Sequence, residues 1–259
     1  MYDIPFTTVA MLCVAAALAG WIDAVVGGGG LLQLPALLIA LPHLPPAWAL
    51  GTNKAAAVVG TSAAAVTYAR KTPLDLRLAG RLGLVAALAS LGGAFFAAGV
   101  DSAVLRPLII VLLLAVAAFV VLRPRFGHAP GGAATRGRVL SAFAVAGVGI
   151  GFYDGLLGPG TGTFLVIALV ALLNMDMVHA SATTKVVNVC TNIGALAMFT
   201  WQGTVLWGLA CVMALCNMAG AFVGAHMALK RGSGFVRGVL LVTVVALVGK
   251  LAHDQWWAN

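Results

Sequence analysis

The sequence predicts an all-α polytopic integral membrane protein built from two inverted-topology repeats, and three observations carry that prediction. Of its 259 residues, 62% are apolar and only 8% charged, with a mean hydropathy of +1.05; that is too little polar sequence to cover a soluble surface of this size. Uncharged apolar runs recur from end to end. A helix needs roughly 20 residues to cross the hydrocarbon core, so the chain holds about eight to ten membrane segments, counting half-length ones. The third observation is internal. Gly20-Trp21-Ile22-Asp23, Gly27-Gly28-Gly29-Gly30 and Gly51-Thr52-Asn53-Lys54 return as Gly151-Phe152-Tyr153-Asp154, Gly158-Pro159-Gly160-Thr161-Gly162 and Ala182-Thr183-Thr184-Lys185. The second copy follows the first by 131 positions (154 less 23, 185 less 54) without a gap. That period is too long for a solenoid and typical of membrane proteins built from internal repeats.

The first segment, 5–26, stops at four consecutive glycines, which favour irregular backbone over helix continuation. Its apolar run has the length of a signal-peptide core, but no basic residue precedes it and it flows into the repeated motif, so it is expected to persist as the first helix. A short apolar piece, 31–41, is closed by Pro42 and Pro45-Pro46. Eleven residues cannot span as a helix, which makes it a half-helix or the return arm of a re-entrant hairpin. Full spans follow at 48–68, 82–100 and 104–122. The polar stretch 123–138, with Pro124, Pro130, Gly131 and Gly132, is the natural linker between a first repeat, 1–122, and a second, 139–259. The second repeat follows the same plan: a span at 139–157 ending in a Gly-Pro-Gly-Thr-Gly break, a short piece to 173, then spans at 177–199, 205–229 and 235–251.

The net charge of +8 does not indicate nucleic acid, because the basic residues sit in short gaps between apolar runs, where cytoplasmic loops collect Lys and Arg. The gap from Arg70 to Arg81 is strongly basic while its counterpart, 201–204, is uncharged; the turn at Asp101, near Arg106, is acidic while its counterpart at Lys230, Arg231 and Arg237 is basic. Corresponding loops therefore fall on opposite sides. The central linker, with Arg123, Arg125, Arg136 and Arg138, is expected to be cytoplasmic and both termini outside. Four cysteines lie in apolar stretches without ligand spacing, so neither a disulfide framework nor a metal site is expected.

Four ionisable residues stand inside apolar sequence: Asp23, Lys54, Asp154 and Lys185. Each costs roughly 2.5 to 3.5 kcal/mol at a helix centre on insertion scales, so each needs a partner or a water-filled cavity. Snorkelling is the alternative for Lys54, whose stem lies about 9 Å along a helix from Trp48. The glycine breaks point to a second device. A half-helix starting at membrane depth aims its positive end and unpaired N–H groups at an anion, and such irregular backbone survives only where it lines a cavity or is buried in protein. Two lysines, the half-helix starts at Gly28, Gly29, Gly30 and at Gly160, Thr161, Gly162, and the polar side chains of Thr52, Asn53, Thr183, Thr184, Asn188 and Asn192 together describe a pocket for a small oxyanion. Asp23 and Asp154 are either counter-ions to the lysines or proton carriers.

These residues carry a family resemblance. The Gly-rich run from Asp23 to Pro35, the Gly51-Thr52-Asn53-Lys54 box, Gly151-Phe152-Tyr153-Asp154-Gly155 with Gly158-Pro159, and Thr184-Lys185 followed by Asn188 and Asn192 resemble the TauE/SafE sulfite exporter family. That family is also called the four-toluene sulfonate uptake permeases, and the similarity is to its YfcA-like branch. The resemblance implies a multi-pass carrier of the bacterial inner membrane, with members linked to export of sulfite or organosulfur anions and to uptake of sulfonates. Where the second half has Asn188 and Asn192, the first has Ala57 and Thr61, an asymmetry able to orient a substrate.

The leading expectation is thus a secondary transporter for a small sulfur-containing anion, working by alternating access at a midplane site. An anion channel, or a carrier for small carboxylates, is the alternative. A proton is the candidate coupling ion, and a homo-oligomer is left open. No cofactor is expected. Gly27 to Gly30 lack the Lys-Ser/Thr ending of a phosphate-binding loop, and no nucleophile–base pair sits at membrane depth, so an enzyme is not expected.

Overall fold

The computed structural model describes residues 4–99 and 135–257. The expected span 104–122, the turn at Asp101 and Arg106, and the linker positions 123–134 with Arg123 and Arg125 lie outside the described residues.

Helix α1 (Phe6–Val26) ends where Gly27 takes a left-handed conformation, φ 80°, and returns its N–H to the Asp23 carbonyl, a stop that glycine adopts without the penalty of a Cβ. Helix α2 (Gly30–Ala40) rises only about 16 Å over its eleven residues, half of a hydrocarbon core. Helix α3 (Pro46–Ala69) opens with proline at its first position, where no backbone donor is lost. Helix α4 (Leu76–Gly99) starts six residues before the span expected at 82–100. The cause is Asp75, whose carboxylate accepts from the Arg77 and Leu78 N–H groups at 3.0 Å and draws the basic turn into the helix.

The second half runs as α5 (Arg136–Leu156), α6 (Thr161–Leu173), α7 (Met177–Trp201) and α8 (Trp207–Trp257). Within α5 the turns from Phe143 to Ile150 wind as a π-helix, a feature that the composition of this stretch does not announce. Helix α8 breaks at Gly232, φ 71° and ψ −166°, between the two spans expected at 205–229 and 235–251.

Four helices are long and apolar enough to cross a membrane among the described residues: Phe6–Val26, Leu76–Ala97, Arg136–Leu156 and Trp207–Gly232. Helices α3 and α7 are as long, with 24 and 25 residues, but carry the lysines and their polar neighbours. They pack against each other at the centre, with α8 beside α3 and α4 beside α7. Large apolar side chains such as Leu84, Leu88, Phe95, Phe96, Leu215 and Phe222 stand outward, as a lipid solvent allows.

The two halves pack on each other rather than on themselves. Helix α1 lies along α8, and α4 along α5. Both seams bring backbones together at small residues: a Cβ on Gly220 would sit 1.9 Å from the Ala17 carbonyl oxygen, and one on Gly155 would sit 1.7 Å from that of Ser90. Between membrane helices, where water drives nothing together, close backbone packing of this kind supplies the adhesion.

Two apolar cores result, one towards each face. Helix α2 packs with the starts of α1, α3 and α8 and the ends of α4 and α7. Helix α6 packs with the ends of α1 and α3 and the starts of α4, α5 and α7. The two half-helices therefore occupy opposite halves of the thickness. On the α6 side lie Arg70, Lys71, Arg77, Arg136, Arg138, Lys230 and Arg231; on the α2 side the turns 41–45 and 202–206 carry no lysine or arginine.

Candidate functional site

The two chain breaks meet where α2 and α6 begin. A Cβ on Gly27 would lie 2.4 Å from the Gly162 Cα, and one on Gly30 would lie 3.3 Å from the Pro159 Cα. Breaking α1 at mid-depth leaves its last carbonyls without helical partners, and buried carbonyls require one. Side chains of other helices supply them: Tyr68 donates to the Ala24 carbonyl at 3.0 Å and Thr163 to that of Val26 at 3.0 Å; the Asp23 carbonyl, already bonded to the Gly27 N–H, accepts from the Lys185 ammonium as well. In the other half the Tyr153 hydroxyl donates to the Pro159 carbonyl.

Around this junction the four ionisable side chains pair crosswise. Lys54 Nζ is 2.6 Å from Asp154 Oδ2, with the two side chains 2% and 5% exposed. Lys185 Nζ is 3.2 Å from Asp23 Oδ2, with side chains 1% and 17% exposed, and Thr61 also donates to that Asp23 oxygen at 3.3 Å. Each lysine therefore faces the aspartate of the other half. Neither reaches a membrane surface, so the snorkelling alternative for Lys54 is replaced by a buried ion pair. The formal charges of the four side chains cancel, as buried charges in a low-dielectric interior require.

A small polar cavity lies among these groups, lined by Asp23, Gln33, Asn53, Lys54, Asp154, Asn188, Asn192 and Asn217 together with Gly29, Gly30, Thr161 and Gly162 from the two half-helix starts. Its volume of about 30 Å3 exceeds the roughly 10–15 Å3 that one water needs. Three amides on its wall hold unspent hydrogen-bonding atoms: Gln33 Nε2, Asn53 Oδ1 and Asn188 Oδ1 have no partner among the described residues. The arrangement offers the Lys54 ammonium, two helix starts and the Gln33 amide N–H to a small anion, and opposes them with two carboxylates and the free Asn53 and Asn188 amide oxygens.

The expected site residues separate into groups. Asp23, Gly29, Gly30, Asn53, Lys54, Asp154, Thr161, Gly162, Asn188 and Asn192 line the cavity. Lys185 stands behind it, against Asp23. Gly28 and Gly160 shape the two turns; Gly160 caps α6 with φ 80°. Thr52 points elsewhere, its hydroxyl accepting from the Leu206 N–H at 3.1 Å and pinning the 202–206 turn. Thr183 faces the Met175 sulfur, 3.9 Å away, and Thr184 is fully buried without a hydroxyl partner among the described residues.

Sequence reasoning missed Gln33 and Asn217, which join across the cavity by an Asn217 Nδ2 to Gln33 Oε1 bond of 2.8 Å. Each is a lone carboxamide in a long apolar run, and that was the available signal, since a polar side chain at membrane depth is costly. No group of three or more His, Cys, Asp or Glu able to hold a metal ion occurs among the described residues.

Comparison with known proteins agrees with this architecture. The profile of the family described as "Sulfite exporter TauE/SafE" matches residues 12–251. The chain belongs to the TauE/SafE family. Among its relatives, a "Probable membrane transporter protein ORF9" of a Sinorhizobium species is 36% identical over 254 residues, covering 98% of this chain and 96% of the relative. A "Probable membrane transporter protein" of Haemophilus influenzae is 32% identical, covering 98% of both chains. "Probable membrane transporter protein YfcA" of Escherichia coli K12 is 32% identical over 95% of this chain and 90% of the relative. No solved structure matches the chain. As a TauE/SafE member the protein is a multi-pass membrane transporter and not an enzyme.

Proposed function

We propose that the protein is a secondary transporter for a small sulfur-containing oxyanion, sulfite or an organosulfonate, working by alternating access between two inverted repeats, 1–122 and 139–259. The observation that carries this reading is the crosswise pairing of Lys54 with Asp154 and of Lys185 with Asp23, at the point where two half-helix starts converge. An arriving anion competes with a carboxylate for the same ammonium group. A proton on that carboxylate removes the competitor, so anion and proton bind together and leave together. Because each pair joins the two halves, opening it also loosens their contact, which couples occupancy to their relative position.

The Asp23–Lys185 pair is the one that opens. Asp23 is 17% exposed at 3.2 Å from its partner, against 5% and 2.6 Å for Asp154. Gln33 then donates its free amide N–H to the bound oxyanion. The sulfur class rests on the family description. The basic face with Arg70, Lys71, Arg77, Arg136, Arg138, Lys230 and Arg231 supports a cytoplasmic side under the positive-inside bias; on this reading the linker 123–138 lies inside and both termini outside, and the bacterial inner membrane is what the family resemblance implies.

The test is flux of radiolabelled sulfite and of an organosulfonate into proteoliposomes, with and without a pH gradient. Saturable flux that a pH gradient drives and a counter-substrate stimulates is expected. Asp23→Asn is expected to keep anion exchange but lose the response to pH, and Lys185→Gln to lose both. Flux that neither saturates nor responds to counter-substrate identifies a channel instead.

A further inference from the structure

On the outer surface, away from the ion pairs, a groove of about 690 Å3 runs between α3 and α8, lined by Val58, Val59, Ser62, Ala63, Val66 and Thr67 on one wall and Met218, Phe222 and His226 on the other, with Arg70 and Lys71 at one end. We propose that it binds one anionic phospholipid, with an acyl chain along the groove and the headgroup phosphate against Arg70 and Lys71.

Three features select that occupant. The walls are apolar in effect as well as composition: the Ser62 hydroxyl donates to the Val58 carbonyl at 2.6 Å and the Thr67 hydroxyl to that of Ala63 at 2.7 Å, so neither presents an open donor. Val66 and Phe222, 50% and 55% exposed, border the channel, with the His226 ring 4.3 Å from that of Phe222. The length also fits. Along α3 the rise from Val58 to Arg70 is about 18 Å, close to the roughly 15 Å of one leaflet's hydrocarbon.

Charge supplies the third feature. Arg70 and Lys71 are exposed at the helix end, and among the described residues no carboxylate is in ion-pair range of either. The guanidinium matches the phosphate as a planar two-donor fork, and the ammonium adds a second positive charge. The His226 imidazole, with Nδ1 2.9 Å from the Phe222 carbonyl, keeps its other nitrogen for the headgroup region. A bulk lipid would meet the apolar walls equally well with any headgroup; the two cations make the site selective. A cation near an anionic lipid surface strengthens binding roughly fivefold, so two give a preference of about 25-fold.

The test uses the full chain purified in detergent, exposed to equal amounts of phosphatidylglycerol and phosphatidylcholine, with retained lipid read by native mass spectrometry. The expected result is one tightly retained phosphatidylglycerol. The preference should fall to near parity in Arg70→Gln/Lys71→Gln, and Val66→Trp should displace the lipid while leaving both cations in place. Equal retention of both lipids by wild type, or an unchanged preference in the double variant, overturns the proposal. So does a disulfide-linked dimer formed in membranes by Val66→Cys and not by wild type, which would show a second copy covering the groove. Both basic residues are exposed, so the double variant keeps the fold; the Val66→Trp result stands as an independent reading.

Discussion

Removing one member of a buried ion pair isolates the energetic role of the crosswise pairing. Lys54→Met keeps most of the apolar stem and deletes the charge, leaving Asp154, only 5% exposed, with no ammonium within reach. Stranding a buried charge in this way costs about 3–5 kcal/mol. At roughly 2–4 °C per kcal/mol for a chain of this order of size, the apparent melting point falls on the order of 10 °C. Asp154→Asn strands the lysine instead and is expected to cost a similar amount. The double variant leaves no charge uncompensated, so it should melt above either single variant by at least about 2 kcal/mol equivalent. Arg81→Met, at an exposed position, is the control and should shift nothing measurable. The assay is intrinsic fluorescence against temperature on protein purified in detergent, with all four variants at one pH and salt concentration. A double variant that melts at the sum of the two single losses would falsify the pairing, because independent residues add and partners do not.

Two further outcomes follow from the breaks and the caps. Gly27→Ala forces a side chain into a left-handed conformation, worth about 1–2 kcal/mol, and also drives a Cβ to 2.4 Å from the Gly162 backbone; Gly203→Ala carries a similar φ of 71° with open space around it. Melting both variants should show Gly27→Ala clearly the worse, and equal losses would mean that the two breaks are not in contact. At the start of α7, burial pushes the Asp176 carboxyl up, but hydrogen bonds from the His179 N–H and imidazole and from the Val178 N–H outweigh it and hold the group below the usual carboxylate range. A lowered value in the folded state means that its stabilisation is complete above the unfolded carboxylate range and disappears as pH falls through the folded one. Asp176→Ala should therefore cost about 0.5–2 kcal/mol at neutral pH and flatten the acid side of a melting-point–pH curve; an unchanged acid limb would place the sensitivity elsewhere.

Much of the architecture was legible because membrane helices announce themselves by composition. The end of α1 and the starts of α2, α3 and α6 fall at glycine and proline positions that one reads directly, and the error at α4 came from treating Arg77 and Arg81 as loop when Asp75 had already capped the helix. The π-helical turns of α5 left no trace that could be read, since small apolar residues accept either winding. At the candidate site, lysines and aspartates stood out by their cost in an apolar setting, whereas Thr52 and Thr183 were grouped with them only by neighbourhood in sequence. Neighbouring positions on a helix point about 100° apart, so Thr52 turns to the 202–206 loop while Lys54 turns to the cavity.

The sequence by itself determined that this chain crosses a membrane repeatedly, that its Gly-rich and lysine motifs recur at a spacing of 131 residues, and that four charges in apolar sequence need partners. Each of those facts is local, or is visible by laying the chain beside itself. The tertiary structure alone decided who the partners are. Lys54 meets Asp154 one hundred residues away, and Lys185 meets Asp23 across 162, because α3 and α7 are pressed together at the centre while α1 and α4 are drawn into the opposite half. Within one half an Asp and a Lys are much closer in sequence, 31 residues apart (54 less 23, 185 less 154), and equally suited in charge; only packing between the halves selects the crosswise pairs, and with them the cavity that Gln33 and Asn217 close.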